Sequence, residues 1–295
     1  MLFDIHNIIF DQLKSDLLQQ KNIDLTVARL DKVHAVVSGN KLFKLHYFLE
    51  QYRAGSYNCI QTYGGAYSNH LVATAFACLQ LNIPCKGIVR GERPAILSET
   101  LQQCIHYGMQ LEFISRERYA AIAVEPVNDS NILSIPEGGY HPLGAKGASL
   151  ITECLKERSA THICLAVGTA TTLAGILQQA TAAQTIVAIP VLKGLTDIGQ
   201  RLEFLNGQSL YHNLKIWDQY HFNGYAKQTQ ALLRFMNELY ANHQLPTDFV
   251  YTAKMMFAVL DGIANNVFAP GSHIICLHTG GLQGNNSLPA GTLIF

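Results

Sequence analysis

The chain has 295 residues, 48% of them hydrophobic and only 14% charged, and its 21 basic and 21 acidic side chains give a formal net charge of zero. Such a composition supplies a sizeable core and excludes a disordered chain, and the balanced charge leaves no electrostatic footprint for nucleic acid. The length suits two modest domains, or one larger domain with an insertion. No apolar run reaches the roughly 18 residues that a membrane-spanning helix needs. The opening stretch MLFDIHNIIFDQLKSD has no basic n-region and no small-residue cleavage site, so no secretory signal is expected. Seven scattered cysteines (Cys59, Cys78, Cys85, Cys104, Cys154, Cys164 and Cys276) without a C-x-x-C read as buried thiols in a reducing cytoplasm. The twelve histidines show no metal-ligand spacing, and no metal site is expected.

In chain order, the first informative stretch is SGNKLFKL, Ser38 to Leu45. Lys44, Leu45, Phe48 and Leu49 predict one face of a helix, with Lys41 at its start. Gly39 and Asn40 permit a tight turn that aims one side chain inward. A desolvated lysine there has a lowered pKa and can form a Schiff base with an aldehyde; the plain alternative is a solvated charge at a helix end. YNCIQTYGG then reads as a buried strand ending in glycines, and SNHLVATAFACLQL as a helix. Between them Ser68 is a good helix N-cap, and the same turn suits the grip of a carboxylate. IPCKGIVRG is a strand, AILSETLQQCIHYG a helix stopped by Gly108, and MQLEFIS a strand.

THICLAVG is a further strand, followed by GTATTLAGI, Gly168 to Ile176. Gly168, Thr169, Ala170, Thr171 and Thr172 place a glycine and three hydroxyls between a strand and a helix. Free amides at a helix start and hydroxyl donors make a phosphate cradle, while threonine N-capping is the plain reading. No G-x-x-x-x-G-K-[ST] occurs, so a nucleoside triphosphate is not implied. The helix TLAGILQQATAA, the strands QTIVAIPVL and LKIWDQY, and two helical stretches follow; DFVYTAKMMFAV opens the second with Tyr251 and Thr252. SHIICLHTGG ends the strand series. Its glycine turn is either a connection or the wall behind a flat ring.

Strand–helix alternation predicts an α/β fold of two open twisted, mostly parallel sheets flanked by helices. Glycines follow strands at Gly64-Gly65, Gly138-Gly139, Gly168 and Gly280-Gly281, and the carboxyl ends of such strands carry the binding crevice. The expected division is a larger domain of residues 1–45 plus 145–295 and a smaller inserted domain of 46–144, with a cofactor in the cleft between them. A Schiff-base lysine, a phosphate cup, a carboxylate grip and a ring wall together are the requirements of pyridoxal 5'-phosphate acting on an amino acid.

The ordered set SGNKLFKL, GGAYSNH, IPEGGYHPLGAKG, VGTATTLAGI, FNGYAK, VYTAKMMF and HTGGLQG resembles the 1-aminocyclopropane-1-carboxylate deaminase/D-cysteine desulfhydrase family, from about Leu25 to Gly284. That family belongs to the tryptophan-synthase-β-like enzymes, pyridoxal-phosphate fold type II. The resemblance implies that Lys41 carries the cofactor, with Lys44 near the phosphate and Gly168 to Thr172 as the phosphate loop. It implies that Ser68 and Asn69 grip the substrate carboxylate, Asn69 also approaching the cofactor, with His70 beside them. It assigns catalytic parts to Lys41, Ser68, Tyr225 and Tyr251, and sets Thr252 facing the pyridine nitrogen. A neutral threonine there, where the deaminases carry glutamate, implies a shallower electron sink suited to a good leaving group. His70 in SNH also resembles the desulfhydrase branch, and Thr171 stands where a glycine is more usual. The implied activity is a lyase acting on a small amino acid, D-cysteine foremost, by β-elimination to pyruvate, ammonia and sulfide. Alternatives are deamination of aminocyclopropane carboxylate to 2-oxobutyrate, another β-eliminating or β-replacing enzyme, and a non-catalytic anion-binding α/β protein. A homodimer is the family expectation, without nucleic-acid or membrane partners.

Overall fold

The computed structural model describes residues 8–124 and 129–295, so the first seven residues of the stretch read for a leader lie outside the described residues. The chain opens with β1 (Ile9–Leu13), α1 (Asp16–Lys21) and β2 (Asp24–Arg29); the two strands pair antiparallel. Ser15 caps α1 by accepting from the Leu18 amide, and Asn22 ends it in the left-handed region at φ 52°. α2 (Asn40–Ala54) follows. β3 (Cys59–Gly64), α3 (Asn69–Gln80), β4 (Cys85–Arg90), α4 (Glu99–His106), β5 (Gln110–Ile114), α5 (Arg116–Val124) and β6 (Ile132–Ile135) come next. Their strands form a four-stranded parallel sheet in the order β5-β4-β3-β6.

α6 (Pro142–Leu155), β7 (His162–Val167), α7 (Thr171–Gln179), β8 (Thr185–Pro190), α8 (Ile198–Asn206), β9 (Leu214–Ile216), α9 (Gln230–His243), α10 (Thr252–Ala264) and β10 (His273–His278) complete the chain. The second sheet has the order β1-β2-β10-β7-β8-β9, parallel throughout except at β1. The fold is therefore α/β with two mostly parallel sheets flanked by helices. Residues 163–167 of β7 and 274–278 of β10 are buried without alternation, the pattern of strands covered on both faces.

Two packing features position the site. β10, last in the chain, inserts between β2 and β7, which lays the turn after it against the start of α2. The contact is so close that a Cβ at Gly39 would overlap the Thr279 carbonyl oxygen. α6 runs between α2 and α7 on small residues: a Cβ at Gly147 would overlap the Phe43 carbonyl, and one at Gly175 would lie 2.5 Å from the Ala145 oxygen. α2 is accordingly buried on more than the one face predicted, at Leu42, Phe43, Lys44, Leu45, Phe48 and Leu49. Burying each phenylalanine fully stabilises the fold by about 1.5–3 kcal/mol. Cys78, Cys85, Cys104, Cys164 and Cys276 are buried, whereas Cys59 and Cys154 are only half-buried, and none forms a disulfide. Among the described residues no helix is long and apolar enough to cross a membrane.

Candidate active site

Lys41 owes its position to the turn before it. Gly39 takes φ 70°, a conformation glycine adopts without strain, and the chain enters α2 directly at Asn40. The Asn40 side chain then faces two ways: its amide donates to Thr172 Oγ1 at 2.8 Å, and its carbonyl accepts from Lys41 Nζ at 2.7 Å. Burial lowers the Lys41 amine to about 8, against the opposing pull of the Asp248 carboxylate. Lys44, one turn on, donates to the Gly138 carbonyl at 3.1 Å. Burial, and then the charge of Lys41, hold the Lys44 amine well below the usual lysine range. Two amines share one face of α2, and neither is solvated like a surface lysine.

The segment after β7 faces them. Ala170 sits in the left-handed region at φ 65° and turns the chain into α7, whose first turn has no side-chain cap. The opening amides of a helix have no partner within it, so this end presents donors. The Thr169 and Thr171 hydroxyls lie 2.9 Å apart. Opposite, Gly138 takes φ 66°, and a Cβ on it would lie 3.1 Å from Thr169 Cγ2. The turn after β6 thus closes over the loop after β7. Together they enclose a hollow of about 70 Å³, walled by Lys41, Lys44, Asn69, residues 168–172 and the turn after β10.

A larger cavity of about 440 Å³ adjoins it and shares Lys41, Asn69 and Tyr251. Ser68 caps α3, its hydroxyl accepting from the Leu71 amide at 3.3 Å, and still lines this cavity. Asn69 leaves its side-chain oxygen buried without a partner. His70 is buried and pairs with Thr62 Oγ1 at 2.9 Å; burial, then the charges of Lys41 and Lys44, push its ring down to about 3, so it stands neutral. Tyr225, half-exposed on a loop, meets Tyr251 edge-on with ring centres 6.0 Å apart. Burial and then Tyr225 hold the Tyr251 hydroxyl well above the usual tyrosine range.

All the residues expected at the site therefore converge on the two hollows except Thr252. That residue is fully buried behind the wall, because its hydroxyl is used in the cap of α10. It donates to Asp248 Oδ2 at 2.6 Å and accepts from the Asp248 amide at 2.8 Å. Asp248 also accepts from the amides of Val250, Tyr251 and Thr252, and it is Asp248 that lines the larger cavity. The sequence carried the signal, an aspartate just ahead of a helix start, where its oxygens cap the first amides. Asn40 and Gly138 are likewise additions to the expected set.

A family model described as pyridoxal-phosphate dependent enzyme matches residues 14–280. The chain is 26% identical to the mitochondrial bifunctional D-cysteine desulfhydrase/1-aminocyclopropane-1-carboxylate deaminase of Arabidopsis thaliana, over 88% of this chain and 73% of that one. It is 23% identical to a D-cysteine desulfhydrase of Salmonella choleraesuis, over 88% and 87% of the two chains. Its fold superposes on a crystal structure described as an ACC deaminase homologue with a TM-score of 0.76, at 24% identity, covering 94% of this chain and 90% of the other. With the match running over most of its length, the chain belongs to the pyridoxal-phosphate dependent enzyme family.

Proposed function

We propose that this enzyme is a lyase that eliminates thiol from a small amino acid, D-cysteine foremost, giving pyruvate, ammonia and sulfide. The observation that carries the reading is the Lys41 amine, buried and lowered to about 8, at the junction of an anion cradle and a cavity of amino-acid chemistry. The residues fit the cofactor: the start of α7 has no side-chain cap and the buried Asn69 side-chain oxygen has no partner, while the Thr169 and Thr171 hydroxyls, bonded to each other, line the same hollow. Lys41 would hold pyridoxal phosphate covalently, and Thr169, Thr171, Thr172 and the first amides of α7 would hold its phosphate, with Lys44 alongside. When bound, the cofactor supplies a carbonyl for amine exchange and a ring that withdraws electrons from the substrate's α-carbon.

The chain's own groups divide the remaining work. Ser68, at the start of α3, receives the substrate carboxylate, beside Asn69 and the neutral ring of His70. Lys41, with an amine near 8, is suited to take the α-proton at neutral pH. Tyr251 stays protonated, and so donates toward a leaving group, with Tyr225 closing the mouth beside it. A second reading, opening of aminocyclopropane carboxylate to 2-oxobutyrate and ammonia, is favoured by the Asp248 carboxylate on the cavity wall, a negative charge where Thr252 alone is neutral. The four-stranded sheet lies within residues 46–144 and supports reading that span as an inserted lobe, with 1–45 and 145–295 as the other. A homodimer in a reducing cytoplasm completes the reading.

The test is a product panel. Purified enzyme is assayed for pyruvate, 2-oxobutyrate and sulfide from D-cysteine, L-cysteine and aminocyclopropane carboxylate, with Lys41→Ala as control. Sulfide and pyruvate from D-cysteine are expected. 2-Oxobutyrate alone would select the second reading, and a protein that takes up no cofactor would reduce the site to an anion cradle.

A further inference from the structure

Lys254, in the first turn of α10, is a fully buried cation that no step above uses. Its Nζ donates to the carbonyls of Gly224 at 2.7 Å, His221 at 2.9 Å and Val191 at 3.4 Å. An ammonium has three donors, and all three end on backbone oxygens. Val191 directly follows β8; the other two belong to the loop that carries Tyr225.

That loop follows an unusual path. Phe222, Asn223, Gly224 and Ala226 all take positive φ, at 49°, 67°, 113° and 51°. Non-glycine residues persist there only where their surroundings over-determine them. Two tight turns run in series, the Gly224 amide bonding His221 O at 2.9 Å and the Lys227 amide bonding Gly224 O at 3.3 Å. The carbonyls that close these turns are the ones that also accept from Lys254. Tyr225 lies between them, its ring edge-on to Tyr251 at the wall of the larger cavity. A methionine would fill the volume of Lys254 without the desolvation of a charge, but it would hold no carbonyl.

We infer that Lys254 is a positioning residue: its ammonium ties the turns at His221 and Gly224 to the end of β8, and thereby sets Tyr225 against Tyr251 over the cavity. The inference rests on the reading that this cavity turns over an amino acid. Burial brings the Lys254 amine to about 8, and the Asp248 carboxylate helps to retain its proton.

The test compares Lys254→Met, Lys254→Gln and Lys254→Arg with Tyr225→Ala and the Lys254→Met/Tyr225→Ala pair, all as cofactor-loaded protein. Hydrogen exchange at the Gly224 and Lys227 amides is expected to quicken by about tenfold or more in the Met and Gln variants, with β7 unchanged, and Lys254→Arg is expected to restore protection. Lys254→Met should lose the same factor in kcat/KM as Tyr225→Ala, and the pair should lose no more, since both remove one positioned ring. Unchanged exchange in the loop, or losses that multiply in the pair, would overturn the inference. Borohydride-trapped cofactor on Lys41 is measured in the same samples. Loss of trapping in the unsubstituted protein would count against the cofactor assignment, while the exchange arm still reads Lys254 whatever amino acid is turned over.

Discussion

An amine set beside a second amine, both out of water, pays for its burial in lost basicity. For Lys41 the sign of the pH dependence follows directly. Its folded value of about 8 lies below the ordinary 10.5, so the neutral, nucleophilic form is abundant from about pH 8 upward. Covalent capture of pyridoxal phosphate by the cofactor-free protein should rise with pH around a midpoint near 8, read by borohydride reduction and the mass of the peptide holding Lys41. Asp248 pulls the value up, so Asp248→Asn should move that midpoint lower still. Tyr251→Phe should lower kcat by about 10²–10⁴ while trapped cofactor is unchanged, if the tyrosine is the proton donor. For Lys41 the neighbours Gly39 and Asn40 only permit an inward turn, and it was the ordered set of motifs that singled the lysine out from a solvated helix end. The place of Thr252 was not legible, because a hydroxyl next to a capping carboxylate is claimed by that carboxylate, and only the coordinates of Asp248 reveal it.

Among the elements, α6 shows how function and packing share residues. Gly147 lets it pass α2 at Phe43 and Lys44, and Gly175 of α7 lets α7 approach it in turn. Alanine is favoured over glycine inside a helix by about 1 kcal/mol. Gly147→Ala should nonetheless destabilise by about 1–3 kcal/mol in urea unfolding, because the added methyl has only backbone to displace. Cofactor retention should fall with it, since α2 carries Lys41 and Lys44. The strands with long apolar runs, β3, β4, β7, β8 and β10, were readable from their runs and the glycines after them. α6 was not, since Gly144 and Gly147 depress helix propensity for the sake of close approach. β6 was too short to announce itself, and β1 and β2 carry enough polar side chains to mask their pairing.

At the scale of the molecule, the two hollows draw on pieces from Asn40 to Ser287, brought together because β10 enters the middle of its sheet. Alternation of strand and helix disclosed the class of the fold, and ordered motifs disclosed the cofactor. Which carboxylate would face the cavity depended on contacts between distant segments, which no local pattern encodes. The buried histidine gives the whole fold an acid limit. His70 has a folded value of about 3 against 6.5 unfolded, so between these values the unfolded chain binds more protons and stability falls as pH falls. At about pH 5 this one ring should cost the cofactor-free protein about 2 kcal/mol. His34, His141 and His162, also lowered by burial, act in the same direction. Denaturant titrations at about pH 7 and 5 should show the loss, and His70→Asn should flatten it.

The side chain of Asn40 is gripped at both ends, by a hydroxyl on one helix and an ammonium on its own. Turning it over would set donor against donor at Lys41, so its orientation is fixed by its partners. Aspartate would be almost the same size and would bind the ammonium more tightly, yet that added attraction would stabilise the proton the amine must shed. Neutrality at this position thus leaves Lys41 tethered in direction but free in charge, a leash without a counterion.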